Sequence, residues 1–404
     1  MQPDLQSETF DVVVVGGGPA GATAAHELAR MGRSVLLLDR GGRIKPCGGA
    51  VPPVLLKEFG IPESQLAGRV NCARMVSPQS RAVDMPINGF VGMVDREHFD
   101  EWLRERAEQA GAVRRAGNFK AIEHDASGHP VVVYELGSAH NQPESAQKRV
   151  CARLVIGADG ARSEVARQSI PEAHDIPFVA AYHEIVSSPA QGVNDFDRKR
   201  CDVYYQGELS QDFYAWIFPH GEQTSIGVGT ANKGFSMRAA VSKLRERTGM
   251  ADSETIRREG APIPLRTLKR WDNGKDVLLA GDAAGCVAPA SGEGIYYAMA
   301  SGRLAAEAAE EFCRSGNPRA LRSARKRFMK AHGRVFWILG LLQRFWYRND
   351  DRRERFVSIC RDPDVQVLTW EAYMHKRLVK AKPMAHVRIF FKDLAHLFGL
   401  ARVR

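Results

Sequence analysis

The glycine pattern Gly16-x-Gly18-x-x-Gly21 constrains this chain more than any other feature of it. It follows Asp11-Val-Val-Val-Val15, a β-branched run with the character of a strand buried on both faces of a parallel sheet. It opens into Thr23-Ala-Ala-His-Glu-Leu-Ala-Arg-Met-Gly32, whose apolar spacing is helical. A second buried strand, Ser34-Val-Leu-Leu-Leu-Asp39, ends in an acid. Glycines at those positions permit a tight turn, close approach of backbone to a pyrophosphate, and close packing of helix on strand. The helix start that follows, at Ala20-Gly21, then offers its free N–H groups to phosphate. Asp39 stands at the fingerprint distance of about 20 residues and is expected to accept hydrogen bonds from an adenosine ribose. Arg40 either lies beside the adenine or faces water.

The same theme, an apolar strand stopping at Gly/Asp, returns at Leu154-Val-Ile-Gly-Ala-Asp159-Gly160 and at Asp276-Val-Leu-Leu-Ala-Gly281-Asp282. Strands of one sheet separated by more than a hundred residues imply an inserted second unit. Val203-Tyr-Tyr205, Phe213-Tyr-Ala-Trp-Ile-Phe218 and Ser225-Ile-Gly-Val-Gly229 suggest that the insert is an antiparallel sheet. The expected fold is therefore α/β. A Rossmann-like domain takes residues 1–70, 96–170 and 271–318, an antiparallel-sheet substrate domain takes 71–95 and 171–270, and a basic, helical C-terminal region takes 319–404. A polar hairpin loop is expected at 138–149, a helix over 295–314, and further helices at 331–347 and 386–399.

Ala280-Gly281-Asp282-Ala-Ala-Gly285 with Pro289-Ala-Ser-Gly292-Glu-Gly294-Ile295 is a second cofactor signal. An acid at a strand end, then a Gly-rich turn opening a helix, suits a ribityl chain and an anionic isoalloxazine edge. Together the two signals resemble the FAD-binding glutathione-reductase-type fold, in its hydroxybenzoate-hydroxylase-like branch. That resemblance gives Gly157-Ala-Asp159-Gly160-Ala-Arg162-Ser163 a role, with Asp159 bracing the pyrophosphate turn. It also carries Arg96, in Asp95-Arg96-x-x-Phe99, to the FAD phosphates or ribityl. Lys45-Pro46-Cys47-Gly48-Gly49-Ala50 would bring a thiol to the flavin, with Gly48 and Gly49 beside the cofactor. Tyr214-x-Trp216-x-Phe218-Pro219 places aromatics at alternate strand positions, hence on one face, followed by Gly227-x-Gly229. They are read either as the wall of an apolar channel or as plain sheet core.

From Asp11 to about Arg314 the motifs look like the geranylgeranyl reductase family, and resemble in particular its pigment-biosynthesis members from photosynthetic bacteria. The resemblance implies FAD as cofactor and NADPH as reductant. It implies a (bacterio)chlorophyll geranylgeranyl tail as substrate, Cys47 as the catalytic candidate, and a tail-binding set of Tyr214, Trp216, Phe218, Pro219, Gly227 and Gly229. Isolated trisubstituted alkenes lack a conjugated electron sink. The expected chemistry is therefore protonation at the less substituted carbon with hydride delivery from reduced flavin to the tertiary one, in a channel dry enough to keep water off the cation. Only one clear dinucleotide fingerprint is present, so NADPH is expected to bind transiently. Alternatives are reduction of geranylgeranyl diphosphate or a prenyl lipid, and a flavin monooxygenase or halogenase sharing the FAD motifs.

Charge separates the last part of the chain from the rest. Residues 320–404 hold 20 Lys and Arg against 7 Asp and Glu, together with 12 of the 33 aromatics. No helix-turn-helix, zinc-finger or RNP pattern accompanies them, so a peripheral membrane surface is preferred to nucleic acid as a partner, the other reading being a soluble helical cap over the substrate domain. The seven cysteines include no CxxC pair, which argues against a zinc ribbon or disulfide scaffold and for a reducing compartment. No protein metal site is expected. The polar first ten residues do not read as a secretory signal, so the expected location is cytoplasmic, at the membrane face. His26, His98 and His183 read as isolated surface or core residues.

Overall fold

The computed structural model describes residues 8–41, 44–136 and 147–376. Along the chain come β1 (Thr9–Val15), α1 (Pro19–Arg30), β2 (Val35–Asp39), β3 (Ala50–Val51), α2 (Pro53–Phe59), β4 (Gly68–Val76) and β5 (Ala82–Met93). α3 (Arg96–Gln109), β6 (Val113–Ala116), β7 (Asn118–His124), β8 (Pro130–Glu135), β9 (Gln147–Gly157) and α4 (Glu164–Ser169) follow. Next are β10 (Phe178–Ser187), β11 (Arg200–Tyr204), β12 (Ala215–His220), β13 (Gln223–Thr230), α5 (Met237–Arg247) and β14 (Thr255–Pro264). The last elements are β15 (Val277–Leu279), α6 (Ile295–Ser315), α7 (Arg322–Trp346), α8 (Asp350–Ile359) and α9 (Pro363–His375).

Two sheets result. The first has seven strands in the order β6-β2-β1-β9-β8-β7, with β15 also on β9. Its β6, β2, β1, β9 and β15 run parallel, and their centre is buried on both faces, which is why the valine and leucine runs are continuous. The three strand ends at Val15, Gly157 and Leu279 lie in register, so the three Gly/Asp turns beyond them meet at one edge. α1 packs on α6 at very short range: a Cβ on Gly302 would stand 2.2 Å from the carbonyl oxygen of Ala20. Alanines on both helices make that approach possible.

The second sheet has eight strands in the order β14-β10-β13-β12-β11-β4-β5-β3. It is antiparallel except where β4 and β11 run parallel. β3 and the start of β4 join this sheet, while α2 between them packs Leu55, Leu56 and Phe59 into the core of the first. α7 begins nine residues before the helix expected at 331–347, because Arg322 to Lys330 continue the same apolar stripe through Ala324 and Phe328, both fully buried. β9 takes up residues 147–149 of the expected hairpin loop, whose remainder lies outside the described residues apart from the flanking strands. The helix expected at 386–399 also lies outside them.

Candidate active site

The cradle is built at the C-terminal edge of the parallel strands, where an open α/β sheet takes its ligands. Gly16 has φ of 105°, and a Cβ there would stand 2.3 Å from the Ala158 carbonyl oxygen. A Cβ on Gly21 would stand 1.9 Å from the Gly16 carbonyl oxygen. Gly18 differs, since nothing lies within 4 Å of its Cβ position. It is also the residue before α1, with no side chain capping the helix's free N–H groups. The turn is thus closed on the protein side and open on the other, the shape a pyrophosphate needs. Asp39 spends Oδ2 on the Gly17 N–H (2.6 Å) and Oδ1 on the Gly41 N–H (3.0 Å), which locks the loop beside it. Arg40 is exposed.

Asp159 accepts from the Ser163 hydroxyl and from the N–H groups of Glu164 (2.8 Å) and Val165 (3.2 Å). Burial pushes its carboxyl above the ordinary carboxylate range against those bonds. It acts from behind the cradle: its backbone abuts Gly16, and its side chain holds the turn into α4. Ala20 likewise faces the α1–α6 contact.

In front of the cradle is a cavity partly open to solvent, with about 770 Å³ of empty space when its mouth is included. Lys45, Cys47, Gly48, Arg96, Asp282, Gly292, Gly294 and Ile295 line it together with Tyr214, Trp216 and Phe218. Cys47 Sγ accepts from the Gly49 N–H at 3.3 Å. Arg96 is no solvated helix-start residue: it is 6% exposed and grips Asp100 with two hydrogen bonds of 2.7 and 2.6 Å. Burial opposes its charge, but Asp100 and the neighbouring Cys47 sulfur overcome that and keep it protonated. Lys45 pairs with the buried Asp282.

The aromatic side forms a continuous row. Phe213 stacks on Tyr214 at 4.3 Å, with Tyr214–Trp216 and Trp216–Phe218 centroids 6.0 and 6.2 Å apart. Tyr214 donates to the Ser291 carbonyl at 2.6 Å, fixing the row to the turn before α6. Of the six residues expected to hold a tail, three line the cavity. Pro219, Gly227 and Gly229 do not. Gly227 and Gly229 lie beneath the row, where Cβ atoms would stand 2.2 Å from the Trp216 ring and 2.6 Å from the Phe213 ring. Gly49 is similarly beneath the surface, against Val94 and His220, while Gly48 touches the Phe218 ring.

A family model described as an FAD binding domain matches residues 87–327, and one described as an FAD dependent oxidoreductase matches residues 11–59. A geranylgeranyl diphosphate reductase of Rhodobacter capsulatus is 55% identical over 392 residues, spanning 97% of this chain and 98% of its own. This chain belongs to the geranylgeranyl reductase family. A chloroplastic geranylgeranyl diphosphate reductase of Oryza sativa is 34% identical over 97% of this chain and 87% of its own. A geranylgeranyl bacteriochlorophyll reductase-like protein of Thermoplasma acidophilum shares the fold with a TM-score of 0.78, at 22% identity over 94% of this chain and 99% of that one.

This family member is an FAD-dependent oxidoreductase. The open face at Gly18, the uncapped start of α1 and the cavity running from Pro19 past Asp282 to Gly294 fit the group. Bound FAD supplies hydride chemistry, and the chain's own residues shape the space in which it acts.

Three features of the reductase site were not legible in the sequence. Arg104 on α3 donates to the Gly17 carbonyl oxygen (3.2 Å) and bonds Glu101, steadying the cradle from outside. Glu293, between the two glycines of the second motif, makes a buried ion pair with Lys376 after α9. His183 is not isolated: it is buried and lines both the large cavity and an adjoining polar one of about 320 Å³. His26 is buried and His98 exposed, and neither lines these cavities.

Proposed function

We propose that this reductase saturates the isolated double bonds of a geranylgeranyl chain esterified to (bacterio)chlorophyll, giving the phytyl ester, with NADPH as reductant. The observation that supports it is the aromatic row of Tyr214, Trp216 and Phe218 lining the same cavity as Cys47, in front of the FAD cradle. An apolar chain laid along that row brings an alkene to Cys47 and keeps water from a developing tertiary cation. Cys47, with Arg96 beside it and the Gly49 N–H on its sulfur, is the polar group proposed to meet the reacting alkene. Free geranylgeranyl diphosphate is the second reading, favoured by the name of the Rhodobacter capsulatus relative.

Anaerobic incubation with NADPH and geranylgeranylated bacteriochlorophyll, followed by mass spectrometry, is expected to show successive gains of two mass units, to about six in all. Unchanged pigment with reduction of geranylgeranyl diphosphate under the same conditions would move the assignment to the second reading. In a parallel incubation in air, NADPH oxidation with reduction of oxygen to peroxide and no alkene reduction would point to monooxygenase-like chemistry. Cys47→Ser is expected to lower turnover about tenfold or more while FAD stays bound, since a positioned proton-transferring group contributes about 10²-fold or more. Unaltered turnover would remove Cys47 from the reaction.

The enzyme is further proposed to work at the cytoplasmic face of a membrane, bound peripherally. α7 carries seven Lys and Arg and no Asp or Glu. Lys330, Arg334, Trp337, Leu341, Arg344 and Arg348 form one exposed stripe at spacings of three and four, with Trp337 70% and Leu341 55% exposed. On the opposite side, Gln343 and Tyr347 hold Ala290 in the turn beside the cavity (3.2 and 3.1 Å). Among the described residues no helix is long and apolar enough to cross a membrane. The protein is expected to float with anionic liposomes at low salt, and Trp337→Ala with Leu341→Ala to remain at the bottom. Equal flotation of both proteins would reject the stripe.

A further inference from the structure

Four residues in register cross the second sheet in a single row: Trp216 on β12, Gly227 on β13, His183 on β10 and Glu259 on β14. Because position 227 is glycine, the Trp216 ring reaches across β13 toward His183; a Cβ there would stand 2.2 Å from the ring and 2.6 Å from the His183 Cβ. Ser225, two residues along β13, lies on the same face. It closes a chain of hydrogen bonds: Trp216 Nε1 to Ser225 Oγ at 3.0 Å, Ser225 Oγ with His183 Nδ1 at 2.8 Å, and His183 Nε2 with Glu259 Oε2 at 2.8 Å.

The proton positions follow from donor chemistry. An indole N–H can only donate, so Ser225 accepts from Trp216 and its hydroxyl is free to donate to His183 Nδ1. When the hydroxyl makes that donation, the imidazole proton is on Nε2 and points at the Glu259 carboxylate. The far end is anchored, since Arg257 meets Glu259 at 3.0 Å and reaches Asp95 and Glu97 at 3.3 and 3.2 Å. Every donor along the row from Trp216 to Glu259 has an acceptor.

We infer that Ser225, His183 and Glu259 are positioning residues that fix the Trp216 indole in the aromatic wall of the active-site cavity. Both ring nitrogens of His183 are spent within the chain, and the chain ends at an indole N–H that releases no proton. It therefore holds the wall and does not conduct protons to a substrate. The consequence for tail binding rests on the proposed function; the fixing of Trp216 does not.

The test uses FAD-bound protein carrying ¹⁵N-labelled tryptophan, with the Trp216 indole resonance assigned by its loss in Trp216→Phe. In Ser225→Ala that resonance is expected to move upfield and exchange faster with solvent, with flavin content unchanged. KM for the prenyl substrate is expected to rise about tenfold, the loss of one buried hydrogen bond, with kcat changed less than about threefold. Glu259→Leu is expected to act in the same direction. The double variant is expected to be no worse than the worse single one, because both break one chain. An unmoved Trp216 resonance in Ser225→Ala would overturn the inference, as would KM effects that multiply in the double variant. If no prenyl chain is reduced by any form, the resonance alone still decides whether the chain holds the indole.

Discussion

Gly21→Ala is expected to yield a protein without flavin. The Cβ it introduces would stand 1.9 Å from the Gly16 carbonyl oxygen, which is backbone and cannot swing aside. Either α1 moves away from β1 or the turn opens, and both destroy the path along which Gly16 to Gly21 approach a pyrophosphate. Overpacking of this kind costs about 1–3 kcal/mol, so the apoprotein should also melt earlier. Gly18→Ala separates the two effects. Gly18 has φ of −74°, which alanine adopts freely, and its Cβ would meet no protein atom within 4 Å. The Gly18→Ala apoprotein should therefore melt like the parent and still bind FAD poorly, because the methyl occupies the open face. Flavin absorbance per protein, read beside the apoprotein melting temperature, gives both numbers. Full flavin in Gly18→Ala would mean that the pyrophosphate does not approach there.

The contrast between those glycines shows which parts of the site a linear sequence carries. The cradle is local: the six residues Gly16 to Gly21, running from the end of a strand into the first turn of a helix, set its shape, so spacing alone exposes it. The aromatic row is nearly as local, because alternation along β12 puts Trp216 and Phe218 on one face whatever they face. What they face is decided by the cavity, which assembles from the turns at Lys45–Gly48 and Gly292–Ile295 and from α3. Arg96 illustrates the limit. The resemblance carries it to the cofactor, but its helix-start position alone leaves a solvated arginine open, and its burial becomes visible only with Asp100 and Cys47 around it. His183 is a harder case, since its partners Ser225 and Glu259 come from strands 42 and 76 residues away. No pattern of spacing ties them together before the β10–β13 and β10–β14 registers are known.

The Glu293–Lys376 pair is equally non-local, and removing one half of it should produce the largest loss of stability of any exchange considered. The side chains are 7% and 3% exposed, and the Lys376 ammonium also lies 4.0 Å from the centre of the Tyr373 ring. Glu293 Oε1 has no hydrogen-bond partner among the described residues. Burial raises the Glu293 carboxyl above its usual range and lowers the Lys376 ammonium below its own, so each charge persists because of the other. Lys376→Met leaves a buried carboxylate uncompensated, a change worth about 3–5 kcal/mol. Adding Glu293→Gln removes the orphaned charge and should recover much of that loss. The pH dependence has a definite sign. A carboxyl whose folded pKa lies above its unfolded value stabilises below the unfolded value, near 4.5, and loses that contribution as pH rises. Lys376→Met should therefore melt closer to the parent at pH 5 than at pH 8, and the double variant should show less of this dependence. Because Glu293 sits between Gly292 and Gly294 at the cavity wall, flavin affinity should fall with stability in the single variant and return in the double. A Lys376→Met protein that melts with the parent at pH 8 would show that the pair does not hold the end of α9 against the start of α6.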